Sequence, residues 1–191
     1  MKILFVCTGN LCRSPMAEAV LRHSLKAREC ADIEVASTGT WAGPGHRATR
    51  DAISVLADRG IDLDVHRSRA LDPREIANAD LVVVMTSVHM TEVLDAATEA
   101  ASKLLLLKEI PELAVEPPSP GDGPRDRVQV LLQAARPKRR RDLDLNDPIG
   151  LGVNAYFRCV REIETGVEAL LDIVCAARTE STTGSSKDPS R

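Results

Sequence analysis

Leu81-Val82-Val83-Val84-Met85 is apolar at every position. A strand with one face in water alternates apolar and polar side chains, so a solid run of this kind belongs to a strand covered on both faces. Lys2 to Val6 reads the same way, and Ile33 to Ser37 and Lys103 to Leu107 add shorter strands. Helical spacing fills the intervals: Met16, Ala17, Val20, Leu21 and Leu25 mark a helix over Ser14 to Arg28, with Ser14 as its N-cap. Further helices run from about Ala48 to Arg59, stopped by Gly60, from about Ser87 to Ala101, and from about Val153 to Ala177. Strands alternating with helices predict one α/β domain built on an open, mostly parallel four-stranded sheet with helices on both faces. Such sheets bind ligands at the carboxyl ends of their strands, so the loop after the first strand lies where chemistry is expected.

The domain is expected over 1–177, with an elaborated surface loop at about 114–141. There EPPSPGDGPRDR and the basic run RPKRRR flank a stretch, RVQVLLQAA, with room for about two helical turns. Residues 178–191 turn to Ser, Thr, Gly and Lys and are read as a disordered tail. The 25 basic and 28 acidic residues nearly cancel, so no global field argues for nucleic acid or an anionic membrane. No apolar run approaches the roughly 18 residues of a membrane span, and residues 2–7 are too few for a signal-peptide core, so a soluble cytoplasmic protein is expected. The cysteines at 7, 12, 30, 159 and 175 form no C-x-x-C pair, so neither a zinc site nor a disulfide framework is indicated. Their odd number leaves room for a reactive thiol.

The first strand ends in Cys7-Thr8-Gly9-Asn10-Leu11-Cys12-Arg13-Ser14 and a helix follows. A loop entering a helix N-terminus turns backbone N–H groups inward and binds a tetrahedral oxyanion. Gly9 is the residue expected to supply a positive φ. Arg13 offers the planar fork that clamps two oxygens. The N–H groups, the helix dipole and Arg13 together favour a thiolate at Cys7, an anionic nucleophile beneath a phosphorus atom. Thr8 or Ser14 is placed to donate to that sulfur when it leaves. A nucleotide-binding P-loop is the rival cradle, but G-K-[ST] is absent.

CTGNLCRSPMAE resembles the signature of the low-molecular-weight protein tyrosine phosphatase family, bacterial type, which includes related protein arginine phosphatases. The likeness extends to AS-TGT at 36–40, GIDLDVHRSRAL at 60–71, ADLVVVMT at 79–86 and LNDPIG at 145–150. It implies a metal-independent phosphatase of phosphorylated proteins, without a cofactor, acting through a cysteinyl-phosphate. Cys7 would be the nucleophile, Arg13 the phosphate clamp, Asp147 of the Asp-Pro pair the general acid, and residues 8–14 the phosphate loop. The same resemblance makes Asn10, Ser14, Ser37 and His66 the residues that tie the loop in shape. It makes Cys12 a redox partner of the nucleophile, beside its alternative role as a small side chain under the loop.

Family members divide by what they admit above the loop. Leu11 implies an apolar wall suited to a phosphotyrosine ring, with Trp41 and Ile149 at the rim. The DP-x-G pattern resembles the arginine phosphatases, and Ile149 stands where tyrosine-specific members commonly carry an aromatic. Trp41 is read either as rim or as half-buried packing. A thiol-relay arsenate reductase needs two more cysteines in mid-chain, and 31–158 has none. A phosphoprotein-binding module would not require Cys7, Arg13 and Asp147 together. The basic run is read as a docking patch for acidic phosphoproteins or as a solvated insertion.

Overall fold

Alternate side chains of β1 (Lys2–Cys7) leave for opposite sides of the sheet: Ile3, Phe5 and Cys7 enter one core, Leu4 and Val6 the other. The structure, a computed structural model, describes residues 1–30, 32–113, 121–135 and 141–175. Along the chain follow α1 (Arg13–Ala27), β2 (Glu34–Gly39), α2 (Arg50–Ala57), α3 (Pro73–Asn78), β3 (Leu81–Val84), α4 (Ser87–Ala96), β4 (Leu104–Leu106), α5 (Pro124–Ala134) and α6 (Val153–Val174). The strands lie in the order β2-β1-β3-β4 and every pairing is parallel. Phe5 pairs with Ser37 on one side and Val83 on the other, so β1 is central.

α1, α2, α5 and α6 cover the first face and α3 and α4 the second, which is why β3 is apolar at every position. The long amphipathic α6 lays Val160, Ile163, Val167, Leu170 and Leu171 on the first face, all at most 1% exposed. Among the described residues no helix is long and apolar enough to cross a membrane.

Four expectations need correction. The stretch after Pro124 is an eleven-residue helix whose Val128 and Leu131 are fully buried, so α5 is part of the core wall. α3 was not foreseen; it is a six-residue helix capped by the Asp72 carboxylate, too short to show periodicity. The expected helix to Ala101 stops at Ala96 and continues as a 3-10 turn over Thr98–Lys103. Finally, Cys30 after α1 and Cys175 after α6 are joined in a disulfide, with Cα atoms 6.0 Å apart. Their separation of 145 residues hides this pairing from spacing, because α1 meets α6 only in the fold. The basic run at 136–140 and the tail at 178–191 lie outside the described residues.

Candidate active site

The loop between β1 and α1 is held from outside by its carbonyls. Cys7 O accepts from the Thr40 N–H, Thr8 O from Trp41, and Leu11 O from Thr49, each at 2.9 Å; Asn10 O meets His66 Nε2 at 2.8 Å. A trans peptide points its N–H opposite to its C=O, and no peptide here is cis. Outward carbonyls at 7, 8, 10 and 11 therefore turn the N–H groups of Thr8, Gly9, Leu11 and Cys12 inward. Those donors, with the start of α1, form the anion nest expected from the sequence.

Asn10, not Gly9, is the left-handed residue: its φ is 53°, whereas Gly9 is not in that region. Asparagine tolerates this conformation when its amide finds partners. Here Nδ2 donates to Ser14 Oγ (3.0 Å) and Ser37 Oγ (2.9 Å), and Oδ1 accepts from the Arg69 N–H (2.9 Å). Asn10, Ser14, Ser37 and His66 thus come together around the loop. β2 also backs it closely: a Cβ on Gly39 would fall 2.8 Å from Asn10 N and overlap Thr8 O.

Cys7 Sγ lies 3.0 Å from Ser14 Oγ, and Cys7 is 1% exposed. Ser14 is the second residue of α1 and not its cap; Cys12 holds the cap position without a side-chain bond. Its hydroxyl serves the sulfur and Thr38 O (3.2 Å) instead. Thr8 does not reach the sulfur. Its Oγ1 is 2.8 Å from His89 Nε2 on α4.

The Arg13 guanidinium, 4% exposed with its residue, donates from Nη1 to Leu145 O (3.2 Å) and from Nη2 to Asp147 Oδ2 (2.6 Å). Its Nε has no protein partner among the described residues. Asp147 is brought from the far end of the chain because Leu145 N–H donates to Met85 O at the end of β3, and Asp144 accepts from Ser87 at the start of α4. Its Oδ1 accepts from the Ile149 N–H (3.2 Å) and from the Cys12 thiol (3.7 Å). Burial first, then Cys7 and Asp147, push the Cys12 thiol far above its ordinary range, outweighing Arg13, so Cys12 stays protonated.

Leu11 is half-buried with its side chain over Gly9. Ile149 is 49% exposed and Trp41 76% exposed, which removes the packing role for Trp41. The indole instead donates to Glu92 Oε1 (2.8 Å). His89, Thr86 and Glu92 are the neighbours that sequence reading missed. The available signal was position: MTSVHMTE begins at the carboxyl end of β3, directly beside the Cys7 loop. A separate groove of about 560 Å³, lined by Arg22, Ala36, Ser37, Leu63, His66 and Arg69, runs along the β2 side of α1, away from the Cys7 thiol. Among the described residues no three His, Cys, Asp or Glu side chains gather to hold a metal ion.

A thiol on the floor of an anion-binding loop, at the carboxyl edge of a parallel sheet, defines a phosphate-handling α/β enzyme of the cysteine-loop class. Residues 2–120 match the family described as low molecular weight phosphotyrosine protein phosphatase, and the chain belongs to that family. It is 33% identical to a protein-arginine-phosphatase of Geobacillus stearothermophilus, covering 90% of this chain and 94% of that protein. It is 35% identical to a low molecular weight protein-tyrosine-phosphatase of Streptomyces coelicolor, covering 91% and 93%. Among solved structures, a low molecular weight protein tyrosine phosphatase from T. tengcongensis superposes with a TM-score of 0.70 at 30% identity, covering 90% of this chain and 98% of that one. These relatives support a phosphatase activity for the chain.

Proposed function

We propose that this chain hydrolyses phosphotyrosine on protein substrates, without metal or cofactor, through a cysteinyl-phosphate at Cys7. The observation that carries the reading is the Cys7 thiol beneath the inverted N–H groups, 3.0 Å from Ser14, with the Arg13 fork beside it. In the first step the Cys7 thiol proton passes by way of the phosphoryl oxygens to the Asp147 carboxylate. Cys7 Sγ forms a bond to phosphorus as the phosphorus–oxygen bond to tyrosine breaks, and Asp147 gives that proton to the departing phenolate. Arg13 and the loop N–H groups hold the three phosphoryl oxygens, where charge stays through the transition state. In the second step water attacks phosphorus, Asp147 takes a proton from it, and the sulfur leaves as thiolate.

Ser14 serves both states of the sulfur by turning one hydrogen. While Cys7 is a thiol, Ser14 O–H donates to Thr38 O; toward a thiolate, the same hydrogen rotates to Sγ. The proposed rim for the tyrosine ring is half-buried Leu11 with exposed Trp41 and Ile149, whose large apolar side chains are free to meet it. The working unit is the domain over 1–177, acting in the cytoplasm on phosphoproteins, and Cys12 is the redox partner of Cys7.

A second reading, hydrolysis of phosphoarginine, is favoured by the near full-length similarity to a protein-arginine-phosphatase and by Asp147-Pro148-Ile149-Gly150. The test is turnover of phosphotyrosine and phosphoarginine peptides side by side, with Cys7→Ser as control. Wild type is expected to turn over phosphotyrosine faster, and Cys7→Ser to lose all activity with its fold intact. Retained turnover in Cys7→Ser would overturn the mechanism.

A further inference from the structure

His89 is fixed at three points by two neighbours, Thr86 at the start of its own helix and Thr8 in the phosphate loop. Its backbone N–H donates to Thr86 Oγ1 (3.3 Å) as the first turn of α4 is capped, and its Nδ1 lies 3.0 Å from that same hydroxyl. Its Nε2 lies 2.8 Å from Thr8 Oγ1 in the phosphate loop. The ring itself is buried, with the residue 2% exposed. Thr8, in contrast, is exposed at the mouth, with its carbonyl pinned by the Trp41 N–H and its own N–H turned into the nest.

The chain Thr86–His89–Thr8 has two hydrogen arrangements, and they leave different groups unpaired. If Nδ1 carried the hydrogen, Thr86 Oγ1 would accept twice and its own O–H would have no acceptor among the described residues. The Thr8 O–H would then be consumed on Nε2. If Nε2 carries the hydrogen, Thr86 O–H donates to Nδ1 and Nε2–H donates to Thr8 Oγ1. Every half-buried or buried donor is then satisfied, and the single hydrogen left over belongs to exposed Thr8. A buried donor without a partner costs far more than an exposed one, so the second arrangement prevails.

We propose that His89 is a positioning residue for phosphoryl transfer: by donating from Nε2 it fixes the Thr8 hydroxyl as a hydrogen donor facing the phosphoryl oxygens bound in the loop. A threonine free to rotate would present this donor only part of the time; the imidazole preorganises it, and a preorganised donor acts where charge resides in the transition state. The ring is held neutral by burial and by the Arg13 cation. Glu92, Asp147 and Asp144 act in the opposite sense, and the outcome is a pKa lowered to about 4. The ring therefore carries a single hydrogen across the neutral range, and the hydrogen-bond arrangement decides which nitrogen holds it.

The proposal rests on the phosphatase reading for its consequence but not for its geometry, and the experiment separates the two. Nitrogen-15 NMR of the imidazole in the resting protein reads the tautomer without turnover. Nε2 is expected to carry the hydrogen and Nδ1 to be bare at pH 7; the reverse would overturn the proposal. Kinetics then use Thr8→Val, His89→Phe and His89→Gln, whose amide nitrogen stands in for Nε2. Thr8→Val and His89→Phe are each expected to lower kcat about tenfold or more with KM little changed, and His89→Gln to recover most of that loss. On a Thr8→Val background, His89→Phe should add nothing. A further loss there, or a Gln variant as poor as Phe while equally folded, would make His89 merely structural. A wild type that turns over no phosphorylated peptide would overturn the phosphatase reading and leave the tautomer result standing.

Discussion

Asp147 Oδ2 accepts from Arg13 Nη2 at 2.6 Å, so the proposed acid and the proposed phosphate clamp are each other's partners in the resting protein. The arginine side chain is 5% exposed and the aspartate side chain 44%, which makes Asp147 the member able to leave. A phosphoryl group entering the loop competes for the same guanidinium. On the proposed mechanism its arrival would release Asp147 toward the leaving oxygen, and the pair would couple binding to acid placement.

Asp147→Asn should separate these two effects. Hydrolysis of esters with poor leaving groups is expected to fall about 10²–10⁴-fold, and that of activated aryl esters much less, because only the former depend on a donated proton. Inorganic phosphate should bind several-fold tighter, since a neutral amide competes less for Arg13. Equal loss on both kinds of ester, with unchanged phosphate affinity, would make Asp147 structural.

Asn10 and Gly9 should exchange the importance that their residue types suggest. Asn10→Ala leaves the Arg69 N–H without its acceptor and keeps a left-handed backbone without the amide that suits it. The expected cost is about 2–4 kcal/mol in unfolding free energy. Gly9→Ala meets only the Leu11 side chain at 3.6 Å and needs no left-handed φ, so its stability should change by less than about 1 kcal/mol. Chemical denaturation of the two variants gives the comparison directly.

The same pair shows how far the sequence could be read. A solid apolar strand, a thiol and an arginine within one short loop are local features, and local features identified the sheet and the nest. Which loop residue turns left-handed depends on Ser37 and Arg69, distant in sequence, and so glycine was the wrong guess. His89 reaches Thr8 across 81 residues, and Cys30 meets Cys175 across 145; neither contact leaves a periodic or spacing signal. Asp147 was legible only through its Pro148 neighbour and the family resemblance, because an Asp-Pro pair by itself is an ordinary turn.

Oxidation should follow from the two loop thiols. Peroxide takes Cys7 to a sulfenic acid with release of water, and the protonated Cys12 thiol then condenses with it, releasing a second water and forming a disulfide. Wild-type activity is expected to return fully with dithiothreitol. Cys12→Ser should recover poorly, because the sulfenic acid proceeds to irreversible forms. Equal recovery in both proteins would leave Cys12 as packing.

His89 also gives stability a pH dependence whose sign is fixed. Its pKa falls from 6.5 to about 4 in the fold. Between those values the unfolded chain binds a proton that the native state refuses, so unfolding becomes easier as pH drops. The contribution is whole above about pH 6.5 and declines toward pH 4, by up to about 3 kcal/mol. Urea unfolding at pH 7 and pH 4.5 should show a smaller loss in His89→Gln than in wild type. Identical losses would mean that other groups carry the acid sensitivity.

Leu11, whose side chain lies over Gly9, is expected to set selectivity. A phosphotyrosine ring gains about 25 cal/mol for each Å² of apolar surface it removes from water there. A guanidinium gains little from the same wall, because its N–H groups lose water without finding an acceptor. Trp41, whose indole donates to Glu92, is already exposed and is the proposed aromatic contact for the ring. Leu11→Thr exchanges apolar surface for a hydroxyl and should shift the ratio of kcat/KM toward phosphoarginine by about 1–3 kcal/mol, the scale of one pocket contact. Trp41→Ala should lower kcat/KM for phosphotyrosine peptides and leave phosphoarginine turnover nearly unchanged. A wild type that already prefers phosphoarginine, with a ratio indifferent to Leu11→Thr, would move the choice of substrate away from this wall and onto the Asp147-Pro148-Ile149-Gly150 turn.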